Sequence, residues 1–110
     1  MLRFGLIGKN ISYSKSPRIH KVLADHLKLD MTYDLLDVDQ NGLSLLINQL
    51  KTHDYDGFNV TQPYKQKIIS FIDVLTPKAN RIKAVNTVYL KDGLVIGDNT
   101  DYDGFLGLLK

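Results

Sequence analysis

Short apolar runs of strand length alternate with stretches whose apolar residues repeat at helical spacing. This alternation is the strongest constraint on the fold. LRFGLIG (2–8), MTYDLLDV (31–38) and YDGFNVT (55–61) read as strands. The spacing predicts a first helix from Ser16 to about Leu29. Ser16 is a good N-cap, Pro17 suits the first helical position, and Ile19, Val22, Leu23 and His26 or Leu27 follow at helical intervals. Leu43, Leu46, Ile47 and Leu50 mark the clearest amphipathic helix. Pro63 opens another helix, with Ile68, Ile69 and Ile72 as its buried face, and Thr76-Pro77 opens a short one. AVNTVYL (84–90) and LVIGD (94–98), joined by KDG, read as a hairpin. Phe105, Leu106, Leu108 and Leu109 begin a last helix.

Strands alternating with helices favour an α/β fold, here a three-layer αβα sandwich around a mostly parallel sheet. The early strands are parallel because each crossover is long enough, and the C-terminal β-hairpin makes the sheet mixed. Ligands of such sheets sit in the crevice beyond the carboxyl ends of the parallel strands. Those ends fall near Gly8 and Asn59–Thr61, where polar residues cluster.

With 110 residues the chain is sized for one domain with one core. Its 44% hydrophobic and 24% charged residues are ordinary globular values. The net charge of +2 is spread among residues of both signs, which argues against a nucleic-acid face. No run approaches the roughly 20 apolar residues of a membrane span, and MLRFGLIG is too short for the apolar region of a signal peptide. Cysteine is absent, so disulfides, thiolate chemistry and Cys-based zinc sites are excluded, in keeping with a cytoplasmic location. His20, His26 and His53 show no metal-ligand spacing, and no metal is expected.

Four stretches could carry chemistry. In GKNISYSKSPRIH (8–20), Ser14 and Ser16 are two apart and point the same way in extended backbone. They run into a helix start, which favours an anion such as a carboxylate or phosphate. A capped helix behind a polar loop is the plain alternative. The stretch fits neither the dinucleotide nor the P-loop pattern. In GFNVTQPYKQK (57–67), Asn59 and Thr61 share one side of a strand and together offer donors and acceptors, which suits a hydroxylated ligand. Lys65 falls in the first turn of the next helix, where the dipole disfavours a cation, and this argues that it has a function. In a partly buried pocket, desolvation would lower its pKa and make it a usable proton donor and acceptor. The plain alternative is a solvated lysine beside Lys67.

Asn86 interrupts the apolar strand AVNTV (84–88) and must find hydrogen bonds in the fold or in a ligand. In GDNTDYDG (97–104), Asp98, Asn99, Thr100, Asp101 and Asp103 surround the start of the last helix. They make a generous cap, or Asp101 serves as the partner that holds the Lys65 ammonium in place.

Taken in order, SYSKSP, GFNVTQPYK, AVNT and GDNTD resemble the shikimate dehydrogenase family in its substrate-binding N-terminal domain, over essentially the whole chain. The resemblance implies that Ser14 and Ser16 hold the shikimate carboxylate and that Asn59, Thr61 and Asn86 contact the substrate. It makes Lys65 the catalytic lysine and Asp101 its partner, also binding a ring hydroxyl. The implied reaction is the NADP-dependent, reversible reduction of 3-dehydroshikimate to shikimate, a step of aromatic amino-acid biosynthesis. The implied partner is that small molecule, with a homodimer as the assembly to look for. The residues agree with a ligand of one carboxylate and three hydroxyls.

Two departures stand out. Tyr102 occupies a position where many members have glycine. The family's Gly-rich dinucleotide domain has no counterpart in these residues. Residues 1–100 are therefore expected to form the substrate-binding domain and 101–110 the start of a helix leading to an absent NADP-binding domain. NADP would bind mainly to that domain, no cofactor is expected in this chain, and the domain alone is expected to be inactive. Quinate/shikimate dehydrogenase is resembled equally well. A stand-alone binding module without chemistry is the alternative of a different class.

Overall fold

In the computed structural model the residues described are 1–11, 16–28, 30–100 and 108, with Ser16 and Pro17 as main chain only. The elements are β1 (Leu2–Gly8), α1 (Ser16–His26), β2 (Met31–Asp37), α2 (Leu43–Lys51), β3 (Gly57–Val60), α3 (Tyr64–Lys67), β4 (Val74–Leu75), α4 (Pro77–Ile82), β5 (Thr87–Lys91) and β6 (Leu94–Asp98). Short 3-10 turns at Gln40–Gly42 and Ile68–Phe71 precede α2 and follow α3.

The six strands form one sheet in the order β2-β1-β3-β5-β6-β4. β1 pairs in parallel with β2 and β3, and β4 with β6; β5 runs antiparallel to both β3 and β6. The sheet is therefore mixed and mostly parallel, as the alternation of elements requires.

Alternation along β1 divides the interior in two. Phe4 and Leu6 face one side and pack with Ala24 of α1, Met31 and Tyr33, with Leu108 against them. Ile7 faces the other side, where Phe58, Val60, Val88 and Val95 of the sheet meet Leu43, Leu46, Ile47 and Leu50 of α2 and Ala79 of α4. Helices thus cover both faces. The four apolar residues that define α2 in the sequence are its four buried ones. Thr76 caps α4 by accepting the Ala79 N–H at 3.3 Å, with Pro77 as the first helical residue. Asp92 and Gly93 both have positive φ at the β5–β6 turn, the conformation that favours a tight two-residue hairpin.

Several expectations need correction. α1 stops at His26 rather than about Leu29, because Lys28 turns left-handed at φ 58° and sends the chain back to β2. Its buried face matches in part, since Leu23 packs against the core as expected. Ile19 and Val22 are exposed, while His20 and Ala24 face the sheet. Ala24 lets the helix approach closely, and His20 packs a ring edge on Tyr33. β3 is shorter than 55–61, although its ladder continues from Thr61 N–H to the Ile7 carbonyl at 2.9 Å. The helix expected after Pro63 is a single turn followed by a 3-10 turn; Ile68 is fully buried and Ile69 and Ile72 are only partly so. β5 starts at Thr87, so Asn86 stands just before the strand. β4 has only two residues, too few to show a period. The last helix lies outside the described residues except Leu108, which is helical.

Candidate functional site

The carboxyl ends of β1 and β3, the start of β5 and the end of β6 share one edge of the sheet. Gly8 closes β1 hard against Thr61. A Cβ at Gly8 would stand 2.7 Å from Thr61 Cγ2 and 2.8 Å from Ile11 Cγ2, so the approach requires glycine. The Asp37 carboxylate accepts the N–H groups of Asn10 and Ile11 at 3.0 and 3.1 Å, pinning the loop that leaves β1. α1 follows that loop and so begins at the same edge. Ser14 lies outside the described residues, and of Ser16 the structure gives only its place as the first residue of α1.

Asn59 is buried at 6% exposure, in register with Leu6 on one side and Thr87 on the other. The Tyr33 hydroxyl reaches it from β2 and donates to Asn59 Oδ1 at 2.6 Å. Asn59 Nδ2 is buried and has no hydrogen-bond partner among the described residues. A buried donor left so costs about 1–3 kcal/mol. A ligand oxygen would remove that cost. Thr61 follows, half-buried.

Lys65 is the second residue of α3 and is half-buried. Its carbonyl accepts the Val85 N–H at 2.8 Å, which ties α3 to the segment leading into β5. Among the described residues its ammonium makes no ion pair. Asp101, its expected partner, lies outside them. Because α3 is a single turn, its dipole is small. The argument that a lysine is out of place there loses force, and the case for Lys65 rests on its place in the turn of helix that follows Asn59 and Thr61 at the end of β3.

Asn86 is a structural hub. Its Oδ1 accepts from Thr87 Oγ1 at 2.9 Å and from the Thr100 N–H at 3.0 Å, and its Nδ2 donates to the Thr100 carbonyl at 3.2 Å. The Val60 N–H donates to the Asn86 carbonyl at 2.9 Å, and the Asn86 N–H to the Asp98 carbonyl at 3.0 Å. The bland expectation for Asn86, satisfaction by the fold, thus holds for most of its polar capacity. Asp98 in turn accepts Thr76 Oγ1 and the Asn99 N–H, both at 2.7 Å.

The structure therefore brings Asn59, Thr61, Lys65 and Asn86 to one edge. It also adds Tyr33, which the sequence reading passed over. The available signal was a tyrosine on the inward side of a strand, since a buried phenol needs a partner.

An open depression of about 450 Å³ is lined by Lys9, Asp39, Gln40, Asn41, Pro63, Tyr64 and Lys67, which follow the carboxyl ends of β1, β2 and β3. The Lys9 ammonium there is paired with Asp39 at 3.4 Å. Among the described residues no cluster of His, Asp or Glu is placed to hold a metal, and no helix is long and apolar enough to cross a membrane. A dinucleotide does not fit them either. The glycine that ends β1 is filled in by Thr61 and Ile11, and the β3–α3 junction carries Gln62 and Pro63 in place of a glycine-rich turn.

The chain has clear relatives among known proteins. The family described as the shikimate dehydrogenase substrate binding domain matches residues 6–88. A Clostridium beijerinckii protein named shikimate dehydrogenase (NADP(+)) is 44% identical over 107 residues, covering 97% of this chain and 40% of that one. Shikimate dehydrogenase 1 from Peptoclostridium difficile superposes with a TM-score of 0.86 at 39% identity, covering 93% of this chain and 38% of that one. The Thermus thermophilus shikimate 5-dehydrogenase, solved with NADP(H) and shikimate, gives a TM-score of 0.85 at 34% identity, covering 97% and 41%. The chain spans about two fifths of the length of the curated relatives it matches.

Proposed function

The chain belongs to the family of shikimate dehydrogenase substrate-binding domains, and we propose that it holds shikimate or 3-dehydroshikimate at the edge formed by β1, β3 and β5. The observation that carries this reading is the buried Asn59 Nδ2, a donor without a partner among the described residues, on the strand that leads through Thr61 to Lys65. Ser14 and Ser16 would take the carboxylate at the start of α1. Asn59, Thr61, Asn86 and Asp101 would meet the hydroxyls. Lys65, held beside Asp101, would give a proton to the ketone oxygen as it becomes an alcohol, and take it back in the reverse direction. The motif match and the shared edge support these roles.

Residues 1–100 would form the substrate domain and 101–110 the lead into an NADP-binding domain. NADP would then bind mainly outside this chain, which fits the lack of a dinucleotide cradle among the described residues. The chain alone would bind substrate and not turn it over.

The test is a shikimate titration of the 15N-labelled chain. Saturable shifts are expected at Ser14, Ser16, Asn59, Thr61, Lys65, Asn86 and Asp101. Shifts confined to other residues, or no saturable change, would refute the assignment. The same titration with quinate reports which of the two acids the site prefers.

A further inference from the structure

We propose that Tyr33, braced by His20, is a positioning residue that holds the Asn59 amide with its nitrogen, and not its oxygen, turned toward the ligand. The identity of the ligand rests on the functional reading above; the orientation rests on packing alone.

A side-chain amide has one accepting and one donating end. At Asn59 the accepting end is taken by the Tyr33 hydroxyl at 2.6 Å. The donating end then points away from Tyr33, and it is the end that is buried without a partner among the described residues. Tyr33 pairs with Phe4 and Asn59 with Leu6, so the phenol spans β1 and a two-residue offset to reach the amide. It has little freedom to do otherwise. Its ring is buried, and the His20 ring meets it edge-on with centroids 4.4 Å apart and planes at 77°. His20 is buried as well and belongs to α1, whose first residue is Ser16. One brace thus joins the helix wall of the candidate pocket to its strand wall.

The orientation has a chemical consequence. An N–H donor pairs with either a hydroxyl or a carbonyl oxygen, whereas an amide oxygen would pair only with a hydroxyl. With Nδ2 turned inward, one contact serves both the alcohol and the ketone that the proposed reaction interconverts.

Tyr33→Phe keeps the ring and removes the hydroxyl. In the ligand-free chain, the Asn59 side-chain amide signals should shift in this variant and exchange with solvent at least about tenfold faster. Signals matching the wild type would overturn the proposal, whatever the ligand. Shikimate should bind the variant about tenfold more weakly, beyond the modest loss of stability that an unpaired Asn59 oxygen brings; equal affinity would also overturn it. His20→Leu should speed the same exchange by a smaller factor, and no change would remove His20 from the device. In the wild type itself, strong magnetisation transfer from the Asn59 amide protons to the Tyr33 ring would mean a flipped amide and refute the orientation without any variant. Failure of the wild type to bind shikimate would sink the functional reading, while the ligand-free amide signals would still decide the role of Tyr33.

Discussion

Asn59 and Asn86 lie at the same edge of the sheet and carry the same amide, yet the fold uses them in opposite ways. Asn86 satisfies most of its capacity internally, accepting from Thr87 Oγ1 and the Thr100 N–H and donating to the Thr100 carbonyl. It fastens the segment after β6 to the start of β5. Asn59 accepts one hydrogen bond, from Tyr33, and keeps a buried donor without a partner. The difference teaches that an asparagine in a binding motif is read by the atoms it has left over. Asn86 is held mainly for architecture, with one amide proton still to give. Asn59 is left with a buried donor to offer.

Lys65 stands on the Asn59 side of this comparison and should show the largest effect. In a chimera where this chain replaces the matching segment of the Clostridium beijerinckii relative, Lys65→Ala is expected to cut NADP-dependent turnover of shikimate about a thousandfold. Binding measured by titration should change much less. Near-normal turnover would take Lys65 out of the proton transfer and leave the Asn59 side without chemistry.

The two asparagines themselves come next. Asn86→Ala strands the Thr87 hydroxyl and the Thr100 N–H, and should cost about 2 kcal/mol in denaturant unfolding. Asn59→Ala removes an amide whose donor was already unpaired. It also takes the acceptor from the Tyr33 hydroxyl, so its stability loss should be smaller than that of Asn86→Ala by about 1 kcal/mol, while shikimate affinity falls about tenfold or more. Equal stability losses would break the distinction drawn between them.

The same contrast shows what a sequence can reveal. Periodicity identified α2 well, because Leu43, Leu46, Ile47 and Leu50 form one stripe and all four are buried. It misjudged α1 in part, because it ranks residues by apolarity, whereas the sheet accepts whatever fits. Ala24 and His20 fit, and the more apolar Ile19 and Val22 face solvent. β4 escaped notice because two residues have no period. Asn59, Thr61, Lys65 and Asn86 were recognisable as candidates from local spacing, since each motif is contiguous in the chain. Tyr33 was not, because its bond to Asn59 joins residues 26 apart across an intervening strand. Strand register creates that contact, and no local pattern encodes it.

The smallest expected effect concerns pH on the Asn86 side. Tyr89 on β5 is half-buried, and its phenol pKa lies above the ordinary 10.0, first through burial and then through the nearby Asp98 charge. Tyr55, at the amino end of β3, is raised in the same direction by burial and then by its hydrogen bond to Asp34 at 2.8 Å. In both cases the folded protein keeps a proton that the unfolded chain gives up as pH passes about 10. The unfolded state then binds fewer protons, so stability is fully present below about pH 10 and declines above it. The urea midpoint should hold steady up to about pH 9 and fall toward about pH 11. Tyr89→Phe should reduce the fall by its own share and Tyr55→Phe by another. Asn59→Ala should leave the slope as it is, because Asn59 has no part in either phenol's environment. Asp98 also accepts the Asn86 N–H through its carbonyl and anchors Thr76 and Asn99 through its carboxylate. Ionising Tyr89 therefore places a second negative charge beside the residue on which the Asn86 network is built. If Tyr89→Phe leaves the decline unchanged, the hairpin side is not pH-sensitive through this phenol, and the two asparagines differ in hydrogen bonding alone.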